Sequence, residues 1–246
     1  EEAWKSGVVV SINAPSNKEL VKVGDRTIIS QLNARNNPAI YDQLVDQKAT
    51  GLSLDMLLRT LSRGQAFDVL SSQQNIAGYR SVIEAGFQMQ RPFAGQMTAA
   101  GRIQPARVLV CGTGVAGLAA IQAAKNLGAI VNAFDVRAAA AEQVESMGAT
   151  FLKVESNESG DAAGGYAKEM SAEWFEAARK MLLAECAKTD VVITTAQIPG
   201  KKAPLLITRE MVEAMPPGGV TIDLAAASGG NVETTELDEI VKVSGK

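Results

Sequence analysis

Apolar and polar positions run along this chain in short blocks whose period switches between strand-like and helix-like. Val8-Val9-Val10-Ser11-Ile12 reads as a strand, Asn13 to Lys18 as a turn, and Glu19 to Val23 as a short helix before the Gly24-Asp25 turn. Arg26 to Leu32 has a buried-strand pattern. Pro38 to Asp46 predicts a helix with Ile40, Leu44 and Val45 on one side, and Thr50 to Leu54 a short strand. Asp55 to Ser72 is a polar connection with Arg59, Arg63, Gln65 and Asp68 set between hydrophobes. From Gln73 to Arg91 the period is helical again: Ile76, Tyr79, Ile83 and Phe87 form one apolar stripe, and Pro92 ends the element. Phe93 to Pro105 reads as a loop.

The second half is more regular. Val108 to Val110 is a short apolar run, Gly112 to Gly117 fits G-x-G-x-x-G, and an Ala/Leu-rich segment reaches Leu127. Ala129 to Phe134 is a second apolar run, closed by Asp135. Ala138 to Met147 predicts a helix stopped by Gly148, and Thr150 to Val154 a strand. Glu155 to Met170 breaks the alternation: it is polar, Gly-rich and carries Tyr166, and reads as a mobile flap or as a plain flexible insertion. A helix from Ala172 to Lys188, a strand from Asp190 to Ala196, a helix from Arg209 to Met215 capped by Thr208, and a strand from Val220 to Leu224 follow. Ile240 to Val243 reads as the beginning of a further strand.

This order predicts an α/β chain with two Rossmann-like lobes and a doubly wound parallel sheet in the second. Residues 1–90 form a partial first lobe whose linking helix is 73–91. Residues 91–246 form a dinucleotide-binding domain that is incomplete at its C-terminal end. The abrupt start and the pattern broken at Lys246 read as a fragment of a fuller domain.

Composition narrows the classes of function. With 46% hydrophobic and 21% charged residues this is ordinary globular composition, and aromatics at 4% leave the cores to aliphatic side chains. A net charge of −3 without long runs of one sign points away from nucleic acid and polybasic membrane patches. A membrane span over Val108 to Ala124 is opposed by Gly112, Gly114, Gly117 and Gln122 within it and by Lys125 directly after. The two cysteines, Cys111 at a strand end and Cys186 in a helix, read as reduced, structural thiols. There is no histidine, which removes Ser-His and Cys-His nucleophile pairs, His-ligated metal sites and the usual proton carrier of hydroxy-acid dehydrogenases.

The glycine turn carries the first chemical hypothesis. Gly112 permits the sharp exit from the strand, Gly114 lets a pyrophosphate approach the backbone, and Gly117 lets helix and strand pack closely. Thr113 lies inside the turn, and the helix N-terminus at Val115 offers N–H groups and partial positive charge to phosphates. Asp135, at the end of the second strand, can accept from ribose hydroxyls. Beside a 2′-phosphate it would cost about 4 kcal/mol at about 4 Å and an effective dielectric of 20. That predicts NAD(H) over NADP(H). Arg137 is either a partner for a 2′-phosphate or a solvated helix-start residue, and the second is preferred.

Further stretches carry a resemblance. These are Arg63-Gly64-Gln65 with Asp68-Val69-Leu70-Ser71-Ser72, Asn75 to Arg80, and Thr98-Ala99-Ala100-Gly101. To them belong GTGVAGLAAI, AFDVRAA, EQVESMGA, GGYAKEM, TTAQIPGKKAP, LITREMV and DLAAASGGN. Together they resemble the NAD(H)-binding domain of proton-translocating nicotinamide nucleotide transhydrogenases, relatives of alanine dehydrogenase, from about Val21 to Lys246. The resemblance implies NAD(H) in a cleft between two lobes and direct hydride transfer to NADP⁺ held on a separate domain. A membrane domain couples the transfer to proton movement. It also implies a homodimer, and a soluble domain at the inner face of a membrane, on the bacterial cytoplasmic or mitochondrial matrix side.

The resemblance assigns residues as well. Gln65 and Asp68 match the loop beside the nicotinamide, with Leu70 and Ser71 after them. Thr60 stands at the aligned place of that loop's arginine, with Arg59 and Arg63 nearby. Gly165 and Tyr166 match the mobile loop, Val136 and Arg137 follow the ribose carboxylate, and Ala196 and Gln197 lie at the adenine or ribose side. Two alternatives stay open: an alanine-dehydrogenase-like amino-acid dehydrogenase, and a non-catalytic NAD-binding module. Ser30 to Asn33 lacks the histidine and lysine that the first of these needs.

Overall fold

The computed structural model describes residues 2–57, 61–155, 170–198 and 200–244. Compactness divides the chain at Gln73/Gln74 into two units. In the first, β1 (Val8–Asn13), α1 (Asn17–Leu20), β2 (Thr27–Gln31), α2 (Ala39–Asp46) and β3 (Thr50–Ser53) make a parallel three-stranded sheet in the order β1-β2-β3. Leu20, Val23, Ile28, Leu32, Ile40 and Leu44 form its core. Val45, expected on the buried side of α2 with Ile40 and Leu44, is exposed instead. A short α3 (Ser62–Gln65) lies in the polar connection from Asp55 to Ser72.

The long helix α4 (Val69–Met89) starts four residues earlier than the apolar stripe predicts. Its first turn has a local reason, given below. The stripe itself faces outward: Ile76, Tyr79, Ile83 and Phe87 are 57%, 57%, 39% and 74% exposed. Gly78, Ser81, Val82, Ala85 and Met89 are buried in their place. A Cβ on Gly78 would lie 2.0 Å from the Ala116 carbonyl oxygen, so this face is small because another helix crosses it at backbone distance.

The expected loop after Pro92 contains an antiparallel hairpin, β4 (Gln96–Thr98) with β5 (Gly101–Ile103). Then come β6 (Arg107–Cys111), α5 (Val115–Asn126), β7 (Ile130–Phe134), α6 (Ala140–Ser146), the two-residue β8 (Thr150–Phe151), α7 (Ala172–Cys186), β9 (Val191–Thr194), α8 (Arg209–Ala214) and β10 (Val220–Asp223). Thr208 caps α8, its hydroxyl accepting from the Met211 N–H at 3.4 Å. Ile240 to Val243 forms no strand.

The large sheet is parallel throughout, in the order β10-β9-β6-β7-β8. Alternate residues serve its two faces. Val108, Val110, Val131, Ala133, Val191 and Ile193 pack with α4, α5 and α6. Leu109, Cys111 and Val192 pack with α7 and α8. Helices on both faces make this the doubly wound Rossmann-like fold that the alternation of elements predicts. Among the described residues no helix is long and apolar enough to cross a membrane.

Candidate functional site

Strand order reverses between β6 and β9, and such switch points leave a crevice outside the carboxyl ends of the strands. The glycine turn lies there. Gly112 has φ 96°, a left-handed conformation that only glycine adopts cheaply. A Cβ on it would meet the Thr195 hydroxyl at 2.7 Å and the Ala196 nitrogen at 2.9 Å. A Cβ on Gly117 would lie 1.9 Å from the Gly112 carbonyl oxygen. Gly114 differs: its Cβ would meet nothing within 4 Å. Gly114 is the N-cap of α5, and no side chain caps that helix. The first-turn N–H groups from Val115 onward therefore face open space next to a backbone stripped of side chains. This cradle fits a pyrophosphate.

Thr113 and Asp135 are joined, since the carboxylate accepts from the Thr113 N–H at 2.8 Å and from its hydroxyl at 2.7 Å. Arg137 is not the solvated residue the sequence favoured. Its Nε and Nη2 donate to the two oxygens of Asp135 at 2.9 and 2.8 Å, and its backbone N–H adds a bond at 2.9 Å. The reason is spacing: Arg137, two positions past Asp135 and three past the end of β7, turns back over the carboxylate before α6 starts. Burial opposes the Asp135 charge, but the Arg137 side chain, the Arg137 and Thr113 N–H groups and the guanidinium charge outweigh it. They hold the carboxyl below the usual carboxylate range. Val136 is half-buried against the α7 side of the core.

Across the crevice, Ala196 and Gln197 follow β9, and Gln197 donates to the Leu224 carbonyl at 3.0 Å. Thr195 donates to the Gly112 carbonyl at 2.9 Å, tying the two strand ends together. Cys111 and Cys186 are buried. Burial pushes both thiols up, Cys186 to about 12. At pH 8 a thiol of that pKa is about one part in ten thousand thiolate. The folded protein should therefore give no thiol titration with an aromatic disulfide reagent at pH 8, and two thiols per chain after denaturation; rapid reaction of the native protein would contradict this burial.

In the first unit, Asp68 occupies the N-cap position of α4. Its Oδ1 accepts from the Ser71 N–H at 3.0 Å and its Oδ2 from the Ser71 hydroxyl at 2.6 Å. That cap is what starts the helix at Val69. Gln65 closes α3, three residues before the cap, and both Gln65 and Arg63 are exposed while Leu70 is half-buried. Arg59 and Thr60, and Gly165 and Tyr166 of the flap, lie outside the described residues.

The profile of the family described as alanine dehydrogenase/PNT, C-terminal domain, matches residues 81–245. The NAD(P) transhydrogenase subunit alpha of Haemophilus influenzae is 48% identical over 241 residues, covering 98% of this chain and 47% of its own length. The first part of the NAD(P) transhydrogenase alpha subunit of Rhodospirillum rubrum is 50% identical over 224 residues, covering 90% of this chain and 58% of its own. The chain thus spans about half the length of these curated relatives. Among solved structures, a transhydrogenase from Sinorhizobium meliloti superposes with a TM-score of 0.87 at 38% identity, over 99% of this chain and 66% of that one.

Proposed function

Because this chain belongs to the alanine dehydrogenase/PNT family, we propose that it is the NAD(H)-binding part of an NAD(P) transhydrogenase. The observation that carries this reading is the 48% identity to a transhydrogenase alpha subunit along 98% of the chain. The open cradle at Gly114 supports it chemically.

In this reading the backbone of Gly112, Thr113, Gly114, Val115 and Gly117 holds the pyrophosphate of NAD(H). Asp135, Val136 and Arg137 serve the adenosine ribose, and Ala196 and Gln197 form the opposite wall. Gln65 and Asp68, with Arg63, Leu70 and Ser71 around them, orient the nicotinamide. Arg59 or Thr60 contributes to the same loop, and Gly165 and Tyr166 shield the ligand from water. The bound nicotinamide supplies the redox chemistry: NADH gives a hydride to NADP⁺ on a partner domain, leaving NAD⁺ and NADPH, and no proton enters or leaves a protein group. A chain without histidine is suited to that reaction. The partners are the NADP(H)-binding domain, a membrane domain that couples the transfer to proton translocation, and a second copy of this chain.

Arg137 changes the expected cofactor preference in size. A bare carboxylate repelling a 2′-phosphate by about 4 kcal/mol would discriminate about a thousandfold. With two guanidinium nitrogens on the carboxylate, NADH should bind more tightly than NADPH by nearer tenfold; tighter NADPH would contradict the assignment.

The decisive experiment measures hydride transfer from NADH to an NADP⁺ analogue in the full-length protein, beside the Kd for NADH. Asp68→Asn keeps an N-cap acceptor and removes the charge, so the helix survives. It should slow transfer about 100-fold while changing NADH affinity only a few-fold. Equal losses in both would favour a module that binds NAD(H) without catalysing its transfer, and no transfer by the unaltered protein would end the proposal.

A further inference from the structure

Beside the crevice lies a half-buried polar cluster that the nucleotide-binding motifs do not include. The Asp223 carboxylate, at the end of β10, accepts five hydrogen bonds. Its Oδ1 takes the Thr194 hydroxyl at 3.0 Å and the Ala225 N–H at 2.9 Å. Its Oδ2 takes the Asn231 N–H at 2.8 Å, the Val232 N–H at 3.1 Å and the Thr235 hydroxyl at 2.8 Å. These bonds deliver Asn231, fully buried, beneath the segment after β9.

There the Asn231 carboxamide behaves as a piece of neighbouring strand. Its Oδ1 accepts from the Ala196 N–H at 3.0 Å, and its Nδ2 donates to the Ala196 carbonyl at 2.9 Å and the Pro204 carbonyl at 2.7 Å. The Thr195 N–H still donates to the Cys111 carbonyl at 2.8 Å; beyond it the pairing of β9 with β6 and β10 has ended. A backbone leaving a sheet must find other partners for its N–H and C=O groups. Asn231 supplies both for Ala196 and secures the return of the chain at Pro204. The adjacent Thr195 then donates to the Gly112 carbonyl at 2.9 Å, the atom against which Gly117 packs.

We infer that Asn231 is a positioning residue for the dinucleotide site: held by Asp223, it fixes Ala196, and Thr195 carries that position to the glycine turn. This rests on the NAD(H) reading for its ligand but not for its geometry. A site held to within about 1 Å loses roughly 100-fold when it shifts by that much, and a relayed shift should cost less.

The test uses the full-length protein. Asn231→Ala should weaken NADH binding about tenfold at a temperature where circular dichroism shows the variant folded, and amide exchange in 195–204 should quicken without any ligand. Thr195→Val, which removes only the hydroxyl bond to Gly112, should weaken NADH binding several-fold. Thr195→Ser should restore it, which a loss of general packing would not predict. If Asn231→Ala does not fold, the Thr195 pair decides. Equal NADH affinity of the Val and Ser variants would overturn the relay, as would native affinity in folded Asn231→Ala. Should the unaltered protein bind no NADH, the cofactor reading fails on its own; the exchange experiment then still judges the brace, and unchanged exchange in Asn231→Ala would overturn it.

Discussion

Gly117→Ala should reduce NADH affinity more than 100-fold, the largest effect expected of any single methyl in the second unit. Its Cβ would sit 1.9 Å from the Gly112 carbonyl oxygen and 2.8 Å from the carbonyl carbon, both backbone atoms. Gly112 has little room to yield, because its φ of 96° belongs to the glycine-only region and Thr195 lies against it. The N-terminus of α5 must therefore move away from β6 by about 1 Å or more, enough to cost roughly two orders of magnitude in a positioned site. Gly114→Ala makes the informative contrast. Its methyl enters open space, so the melting temperature should stay native while NADH affinity falls, because the methyl occupies the cradle assigned to the pyrophosphate. Isothermal titration and thermal unfolding of both variants check this; native NADH affinity in Gly114→Ala would remove the pyrophosphate from that turn.

Gly78→Ala should be the most destabilising substitution of an exposed-looking helix. In an isolated helix, alanine for glycine would gain about 1 kcal/mol. Here the added Cβ would lie 2.0 Å from the Ala116 oxygen, 2.8 Å from its carbonyl carbon and 3.0 Å from its Cα. Backbone of α5 cannot give way as a flexible side chain can, so the overpacking cost sits at or above the upper end of about 1–3 kcal/mol. The balance is a net loss of about 2 kcal/mol. For a unit of this size that lowers the melting temperature by about 4–8 °C. A variant that melts with or above the native protein would show that α4 does not press on α5 at Gly78.

These two glycines differ in how far the sequence reveals them. Gly117 belongs to a contiguous motif, and its role follows from bonds within one turn and the helix after it. Gly78 sits in a helix whose periodicity points the wrong way. The large side chains Ile76, Tyr79, Ile83 and Phe87 predict the packed face, yet the second unit buries Gly78, Ser81, Val82 and Ala85. Hydrophobic period identifies a stripe but not what it meets, and a helix crossing another at backbone contact must present its smallest residues. The hairpin at 96–103 was hidden for a related reason: its strands are exposed on every residue, so no alternation of apolar and polar positions marks them.

The site divides along the same line. Gly112, Gly114, Gly117 and Asp135 could be read directly, because turn, helix, strand and acid follow one another within 24 residues, 112–135. The Arg137 bond to Asp135 spans only two residues, but the choice between solvent and carboxylate depends on where β7 ends and α6 begins. Asp223 and Asn231 carry no such local signal. Their partners Thr194, Ala196 and Pro204 lie 27 to 35 residues away in sequence, although an acid at a strand end followed by Gly229-Gly230-Asn231 is a pattern worth heeding.

By itself, then, the sequence determined the order of elements, the α/β class, the glycine turn with its acid and the family resemblance. All of these are set by neighbours in the chain, through backbone conformation, helix and strand periodicity and motif spacing. Tertiary structure alone decided which face of α4 is buried, that Arg137 closes on Asp135, and that Asn231 completes the edge left open beyond β9. Each of those depends on a partner brought close by folding, and on the requirement that a buried polar group find a bond and a buried surface find a shape that fits.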